Sequence, residues 1–337
     1  RSPAFCELLP IRDFLDGVMV CTNGAYVAAY ELRGLHSYYD SEAQRDHIKS
    51  LLEALLRNLP EFTMRLQVRF EITQGVGDLL VRYNHAQQNP NPNVQALDRI
   101  RTEAWCRKDE DGIYLHHHLH AYFIWDPRKH PVVETTSLWP ALSRTGGWSL
   151  SAEKCIQRTQ AEHEALLSEF NSLLAGLESA LLSAGSDIRR LTNDEIFLEI
   201  KRVLNPLTAD LVPHKCYAQA LSYKSARSQI ANVSIEEEGD DFLKINGLLY
   251  SLLSLKDLPD ATFPGILREL IIQDFPIVVS AEFTIPEQSK VVRSYKSRLR
   301  KMQAAQRDIN GGYRFNVDAH IAEGQLARIL EEVISSS

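Results

Sequence analysis

The sequence has no G-x-x-x-x-G-K-[ST] segment, the loop whose backbone amides cradle phosphates while its Lys and hydroxyl residue hold phosphate and Mg²⁺. Gly146-Gly147 and Gly311-Gly312 are glycine pairs without the Gly-Lys-Ser/Thr that would have to follow, and neither G-x-G-x-x-G nor G-x-S-x-G occurs. ATP hydrolysis by these residues is therefore not expected, and no catalytic or cofactor-binding residue stands out. Cysteine is sparse: Cys6, Cys21, Cys106, Cys155 and Cys216 form no C-x-x-C pair, and an odd number spread over a long chain suits reduced, buried thiols better than a disulfide framework. Long apolar runs are missing too. Nothing approaches the roughly 18 to 20 residues that span a bilayer, and the start lacks the basic, apolar, small-residue order of a signal peptide, so a cytoplasmic location is expected.

Positive charge is in deficit. A net charge of -7 argues against a surface built wholly around nucleic acid, although local basic stretches stay open. The chain begins with Arg1 rather than Met and ends with Ser335, Ser336 and Ser337, from which a fragment is expected. Its 337 residues, 44% hydrophobic and 24% charged, suffice for a sizeable core divided between two subdomains.

The periodicity predicts an α+β fold. Gly17 to Leu35 reads as two alternating strands joined by Asn23-Gly24, a dipeptide that favours the positive φ angles of a tight type I′ turn. Ser41-Glu42 starts a helix whose Ile48, Leu51, Leu52, Leu55, Leu56 and Leu59 share one face, and Pro60 closes it. From Thr63 to Ile72, Met64, Leu66, Val68, Phe70 and Ile72 alternate with Arg65, Gln67, Arg69 and Glu71, as in a half-buried strand. The same order of hairpin, helix and strand returns at Phe242 to Ile245, Asn246-Gly247, Leu248 to Leu258, a helix through Ile266, Leu267, Leu270 and Ile271, and a strand at Ile277 to Ile285. Two antiparallel β-hairpin–helix–strand units are thus expected, within 1–150 and 211–337.

Between them, His85 to Val94 reads as a loop and a helix runs to about Cys106. A strand at Ile113 to Trp125 precedes a long connection over Asp126 to Ser149. Within 151–210, a long amphipathic helix carries Ala161, Leu166, Phe170, Leu173, Leu174, Leu177, Leu181 and Leu182 and ends near Gly185; with a second helix at Asn193 to Leu204 it predicts a helical hairpin inserted between the units. Glu236 to Asp241 reads as a solvated acidic loop.

Two clusters carry chemistry. His116, His118 and His120 share one face of a strand, beside His117. A Zn²⁺ enzyme using them is one alternative, but three consecutive positions on one face give poor tetrahedral angles and no H-E-x-x-H or matching Cys lies nearby, so a solvent or partner face is favoured. Pro286 to Ile309 holds Lys290, Arg293, Lys296, Arg298, Arg300, Lys301 and Arg307 against Glu287 and Asp308. Pro286-Glu287 suits a helix start, and Val291, Tyr295, Leu299 and Met302 form an apolar stripe that leaves the basic residues outside it. Lys290, Arg293, Lys296 and Arg300 are the candidate partner-binding residues. Their partner class is an acidic protein, anionic lipid, or nucleic acid; Tyr295 alone supplies aromatic interleaving, which disfavours single-stranded nucleic acid.

Leu255-x-x-Leu258-Pro259, Pro264-Gly265-x-Leu267, Phe275 to Phe283 and the basic helix after it resemble the CagE/TrbE/VirB family of type IV secretion and conjugation ATPases. Leu32-x-Gly34-Leu35 after the first hairpin and Asp194-Glu195 through Asn205-Pro206 extend the resemblance over nearly the whole chain. It implies an N-terminal, non-catalytic docking domain that precedes a RecA-like motor and meets inner-membrane subunits of a secretion channel at the cytoplasmic membrane face. ATP and Mg²⁺ would belong to that motor in the parent protein, as would most self-association.

Overall fold

The structure is a computed structural model that describes residues 5–33, 41–86, 89–127, 152–206, 225–231, 233–239, 241–254, 268–305, 324 and 328. It is an α+β fold built on antiparallel sheets. The chain opens with a short helix, α1 (Phe5–Leu8), and three strands, β1 (Ile11–Leu15), β2 (Val18–Cys21) and β3 (Tyr26–Arg33). Helix α2 (Glu42–Arg57), strand β4 (Met64–Gln74), helices α3 (Gly77–Ala86) and α4 (Pro92–Glu110), and strand β5 (Leu115–Trp125) follow. Next come α5 (Ala152–Ser183), β6 (Asp187–Arg190), α6 (Asn193–Leu204) and α7 (Ala226–Ile230). They are followed by β7 (Ile235–Glu238), β8 (Phe242–Ile245), β9 (Leu248–Ser251), α8 (Arg268–Ile271), β10 (Ile277–Thr284) and α9 (Gln288–Ala305).

Among the described residues, seven strands form one sheet in the order β1-β2-β3-β5-β4-β10, with β6 also on β3, and β7-β8-β9 form a second sheet. Strand β5 covers one edge of β3 from Tyr26 to Glu31. The other edge is shared: β2 pairs with Tyr26 and Val27, β6 with Tyr30 to Arg33. Both recurrent stretches contain their hairpin, but the returning strand β10 joins the first stretch's sheet, Ile277 opposite Ile72 through Thr284 opposite Arg65. The spans 1–150 and 211–337 therefore share a sheet.

Turn chemistry differs between the hairpins. Asn23 keeps a negative φ while Gly24 takes φ 83°, and Gly24 N donates to Cys21 O (2.9 Å) and Cys21 N to Ala25 O (2.8 Å). This is a three-residue loop with a glycine bulge rather than the expected type I′ turn, and Asn23 Oδ1 secures it by accepting from Ala25 N at 3.0 Å. The two-residue turns with both φ values positive lie at Asp16-Gly17 (52° and 77°) and Asn246-Gly247 (50° and 88°).

Helix α2 starts as its sequence predicts, with Ser41 and Gln44 forming a reciprocal capping box, and Leu55 and Leu59 are buried. On α5, Phe170, Leu174, Leu177 and Leu181 form the buried stripe. These two helices cover the sheet face made by Tyr26, Ala28, Tyr30, Met64, Leu66, Ala121, Phe123 and Trp125, where Trp125 stacks on Phe170 at 5.5 Å. The opposite face receives α6 and α7, whose Ile196, Phe197, Ala226 and Ile230 meet Ile11, Phe14 and Ala29.

The helices of 151–210 thus lie on opposite faces of the sheet and do not make the expected helical hairpin. Gly185, at φ 82°, ends α5 while Ser186 N reaches back to Leu181 O (3.2 Å), and the next four residues extend onto β3 as β6. Crossing the sheet edge puts the following helix on the far side. The expected loop at His85 to Val94 is shorter than foreseen, because α3 runs to Ala86 and Asn91 caps α4, whose Pro92 opens its first turn. Asp126 begins the long connection, but most of it, like Leu255 to Leu267, lies outside the described residues.

Polar contacts tie α5 to the sheet: Tyr26 Oη meets His163 Nδ1 (2.9 Å), Arg190 Nη1 donates to Asn171 Oδ1 (2.9 Å), and the Tyr30 hydroxyl donates to Glu178 Oε1 at 2.5 Å, with Tyr30 1% exposed. Burial, then this carboxylate, raises the phenol's pKa well above its ordinary value. Tyr30→Phe keeps the ring and strips Glu178 of its donor, so urea unfolding should show a loss of roughly 1–2 kcal/mol. In the Glu178→Gln background the same substitution should cost measurably less.

Candidate functional site

The expected histidine face exists, but it is not a free surface. On β5, His116 and His118 are partly buried and His120 is 4% exposed. Ring centroids are 4.0 Å apart for His116 and His118 and 6.1 Å for His118 and His120, the latter pair stacked; Tyr122 continues the row 6.2 Å beyond. Four side chains at alternate positions of one strand therefore form a column on the face that carries α6. His117, on the opposite face, packs edge-on against Phe70.

Antiparallel pairing decides what surrounds this column. Strand β4 sets Arg69 opposite His120, Glu71 opposite His118 and Thr73 opposite His116, while β3 sets Glu31 opposite His120. Arg69 and Glu71 pair at 2.9 Å with side-chain exposures of only 12% and 20%. Helix α6 adds Glu199 and Arg202, 3.4 Å apart, and Arg189 on β6 reaches both Glu31 (2.7 Å) and Glu195 (2.6 Å). The result is a half-buried lattice of alternating charge around the imidazole column. Such networks hold elements in register while each charge keeps a partner.

Burial sets the titration behaviour. It lowers the His118 pKa to about 4, with help from the neighbouring His116, His120 and Arg202 charges and against the pull of Glu31. Burial likewise raises Glu71 against the pull of Arg69, and raises the Tyr122 phenol to about 12. His120 Nδ1 is buried without a hydrogen-bond partner among the described residues. No group of three or more His, Cys, Asp or Glu side chains among the described residues is arranged to hold a metal ion, so the geometry lends no support to the Zn²⁺ alternative. Within the column, burial disfavours the protonated form of His118.

The basic segment forms α9 as expected. Val291, Tyr295 and Leu299 are its partly buried stripe, while Arg293, Lys296, Arg298, Arg300 and Lys301 are exposed. Lys290 differs from the other three candidate residues. Its ammonium sits 2.8 Å from Glu287 and 5.2 Å from the Phe62 ring centre, so it helps to secure the helix start. Glu61 accepts from Gln288 N at 3.1 Å, placing a carboxylate at the positive end of the helix dipole. The structure does not bring α9 and the histidine column into one site.

A second surface was not foreseen. Helices α3 and α4 form an arm between β4 and β5, clamped at its base by Asp109 Oδ1 accepting from Val76 N (2.7 Å) and by a left-handed Gly112 that ends α4. A pocket of about 670 Å³ lies along it, lined by Asn84, Gln95, Asp98, Thr102, Cys106 and neighbouring polar groups. On the second sheet Phe242, Leu249 and Tyr250 are exposed at 49%, 59% and 38%, and Leu252 and Leu253 beyond it at 94% and 90%. No described helix is long and apolar enough to cross a membrane. The sequence matches no model of a protein family and no curated protein.

The lattice residues Arg69, Glu71, Glu31, Arg189 and Glu199 were not recognisable as a group from sequence. The alternation of Arg65, Gln67, Arg69 and Glu71 marked a polar strand face, but only the pairing of β4 with β5 aligns it with the histidines.

Because the His118 pKa falls below its ordinary value of 6.5, the unfolded chain binds more protons between about pH 6.5 and pH 4. Stability should be full above that window and drop as pH falls through it. His118→Asn should flatten this part of the stability–pH curve measured by urea unfolding; an unchanged slope would remove His118 as its source.

Proposed function

We propose that this chain is the N-terminal, non-catalytic docking and assembly domain of a type IV secretion or conjugation ATPase, acting at the cytoplasmic face of the bacterial inner membrane. The observation that carries the reading is the exposed basic face of α9, Arg293, Lys296, Arg298, Arg300 and Lys301, on a chain whose net charge is -7. A concentrated patch of minority charge offers an acidic surface a defined orientation and a faster encounter. Further support comes from the exposed apolar side chains Phe242, Leu249 and Tyr250, which suit burial against a protein partner. Asn205, one of the residues carrying the family resemblance, is fully buried and donates through Nδ2 to Lys201 O (2.8 Å) and Ile230 O (2.5 Å), tying α6 to α7.

In this reading the partners are inner-membrane subunits of the secretion channel, and a RecA-like motor following the domain binds ATP and Mg²⁺. Docking through α9 is electrostatic at its rim, so it weakens as ionic strength rises. The exposed apolar residues hold the complex once formed.

The reading is tested in two ways. The coding sequence downstream should contain a strand followed by G-x-x-x-x-G-K-[ST]; its absence overturns the assignment to a secretion motor. In pull-downs with the cytoplasmic parts of the inner-membrane subunits, charge reversal at Arg293, Lys296 and Arg300 should lower affinity by about tenfold or more, equivalent to roughly 1.4 kcal/mol. Equal affinity of the variant would exclude α9 as the docking face.

A further inference from the structure

The two ends of the large sheet are finished differently. Strand β1 has five residues, a register slip between Ile11 and Asp13, and α6 and α7 packed on it. Short length, irregularity and a helical cover are the usual protections of a sheet edge. Among the described residues, strand β10 has none of these. It runs for eight residues in unbroken register with β4, contains no Pro, Lys or Arg, and is the last strand of the sheet among the described residues. Six of its eight residues, Val278 and Ser280 to Thr284, are exposed.

We infer that the open edge of β10 pairs antiparallel with β10 of a second copy of this chain, about a two-fold axis at Ala281, joining two large sheets into one. The inference rests on strand geometry alone and stands whether or not the domain serves a secretion motor.

The choice of occupant follows from self-complementarity. A two-fold axis through an antiparallel strand pair is perpendicular to the sheet, so residues facing each other across it must share a sheet face. Centred on Ala281, the pairing sets Val279 opposite Phe283 on the face where β4 places Phe70 and Leu66. An aromatic ring then meets a β-branched side chain, a favourable cross-strand pair. On the other face Ser280 stands opposite Glu282, and Val278 opposite Thr284. Glu282 is the strand's one charged residue, and Arg65 already neutralises it at 3.3 Å. It meets a hydroxyl and not its own image, so the symmetric pair places no like charges face to face. Only alanines, the smallest side chains on the strand, meet at the axis.

The test is sedimentation velocity of the whole chain over a wide concentration range, with two variants at the axis. The wild type should form a concentration-dependent dimer. Ala281→Lys puts two ammonium groups opposite each other at an exposed position and should raise the dimer dissociation constant by about tenfold or more while the circular dichroism spectrum stays the same. Under mild oxidation, A281C should give a disulfide linking the two substituted positions, identified by peptide mapping, because directly opposed strand residues lie within disulfide reach. A monomeric wild type overturns the inference. So does a dimer that A281C fails to cross-link, which would place the contact elsewhere; if the two variants disagree, the cross-link decides.

Discussion

Strand β3 is buried on both faces and occupied on both edges, and the other layers take their positions from it. Ala28 and Ala29, both 0% exposed, point to opposite sides. Their small side chains let α5 and α2 approach one face and α6 the other. Tyr30 adds a polar tie to α5 through Glu178, and Tyr26 another through His163. Because β2 and β6 share one edge while β5 fills the other, β3 also fixes where the chain crosses from one helical layer to the next. A backbone shift here would disturb two cores at once, since close-packed interiors transmit strain rather than absorb it.

The two faces of the sheet differ in the kind of order they impose. The α2/α5 side is a continuous apolar core whose packing tolerates volume-conserving exchange. The α6 side is apolar over β1 to β3 and over Tyr122 and Ile124 of β5; farther along β5 and over β4 it becomes the histidine column with Arg69, Glu71, Glu199 and Arg202. Charges held in pairs at low exposure are costly to separate, so this half of the face restricts register and partner more than it adds stability. Together, the two faces allow one sheet to be both well packed and strictly aligned.

How much of this was legible in the sequence depended on whether local pattern and tertiary position agreed. The leucine spacing of α2, the alternation of β4, the run of β5 and the helical stretch Asn193 to Leu204 of α6 each state their structure locally, and the structure follows them. Strand β6 does not. Its four residues, Asp-Ile-Arg-Arg, have no strand signature of their own and become extended because β3 offers an unpaired edge there. Missing β6 turned two helices on opposite faces into an expected hairpin. The histidine column was visible as a spacing, but its charged neighbours come from strands brought together only by folding. The same applied to the Asn23-Gly24 turn, where the favoured dipeptide adopts a longer loop because Cys21 and Ala25 pair around three residues.

The pairing of β10 with β4 has a consequence for the order in which the molecule can be made. Arg65 and Glu282, which meet across this pair, are 217 positions apart in the chain. During synthesis β4 leaves the ribosome long before β10 exists, and until then its outer edge presents unpaired backbone groups beside Phe70 and Ile72. Closing so long a loop adds only slowly to the entropic cost, but the wait is fixed by the rate of translation. The nascent chain therefore passes through a stage in which its largest sheet is complete except for one strand, and any cut that removes β10 would make that stage permanent.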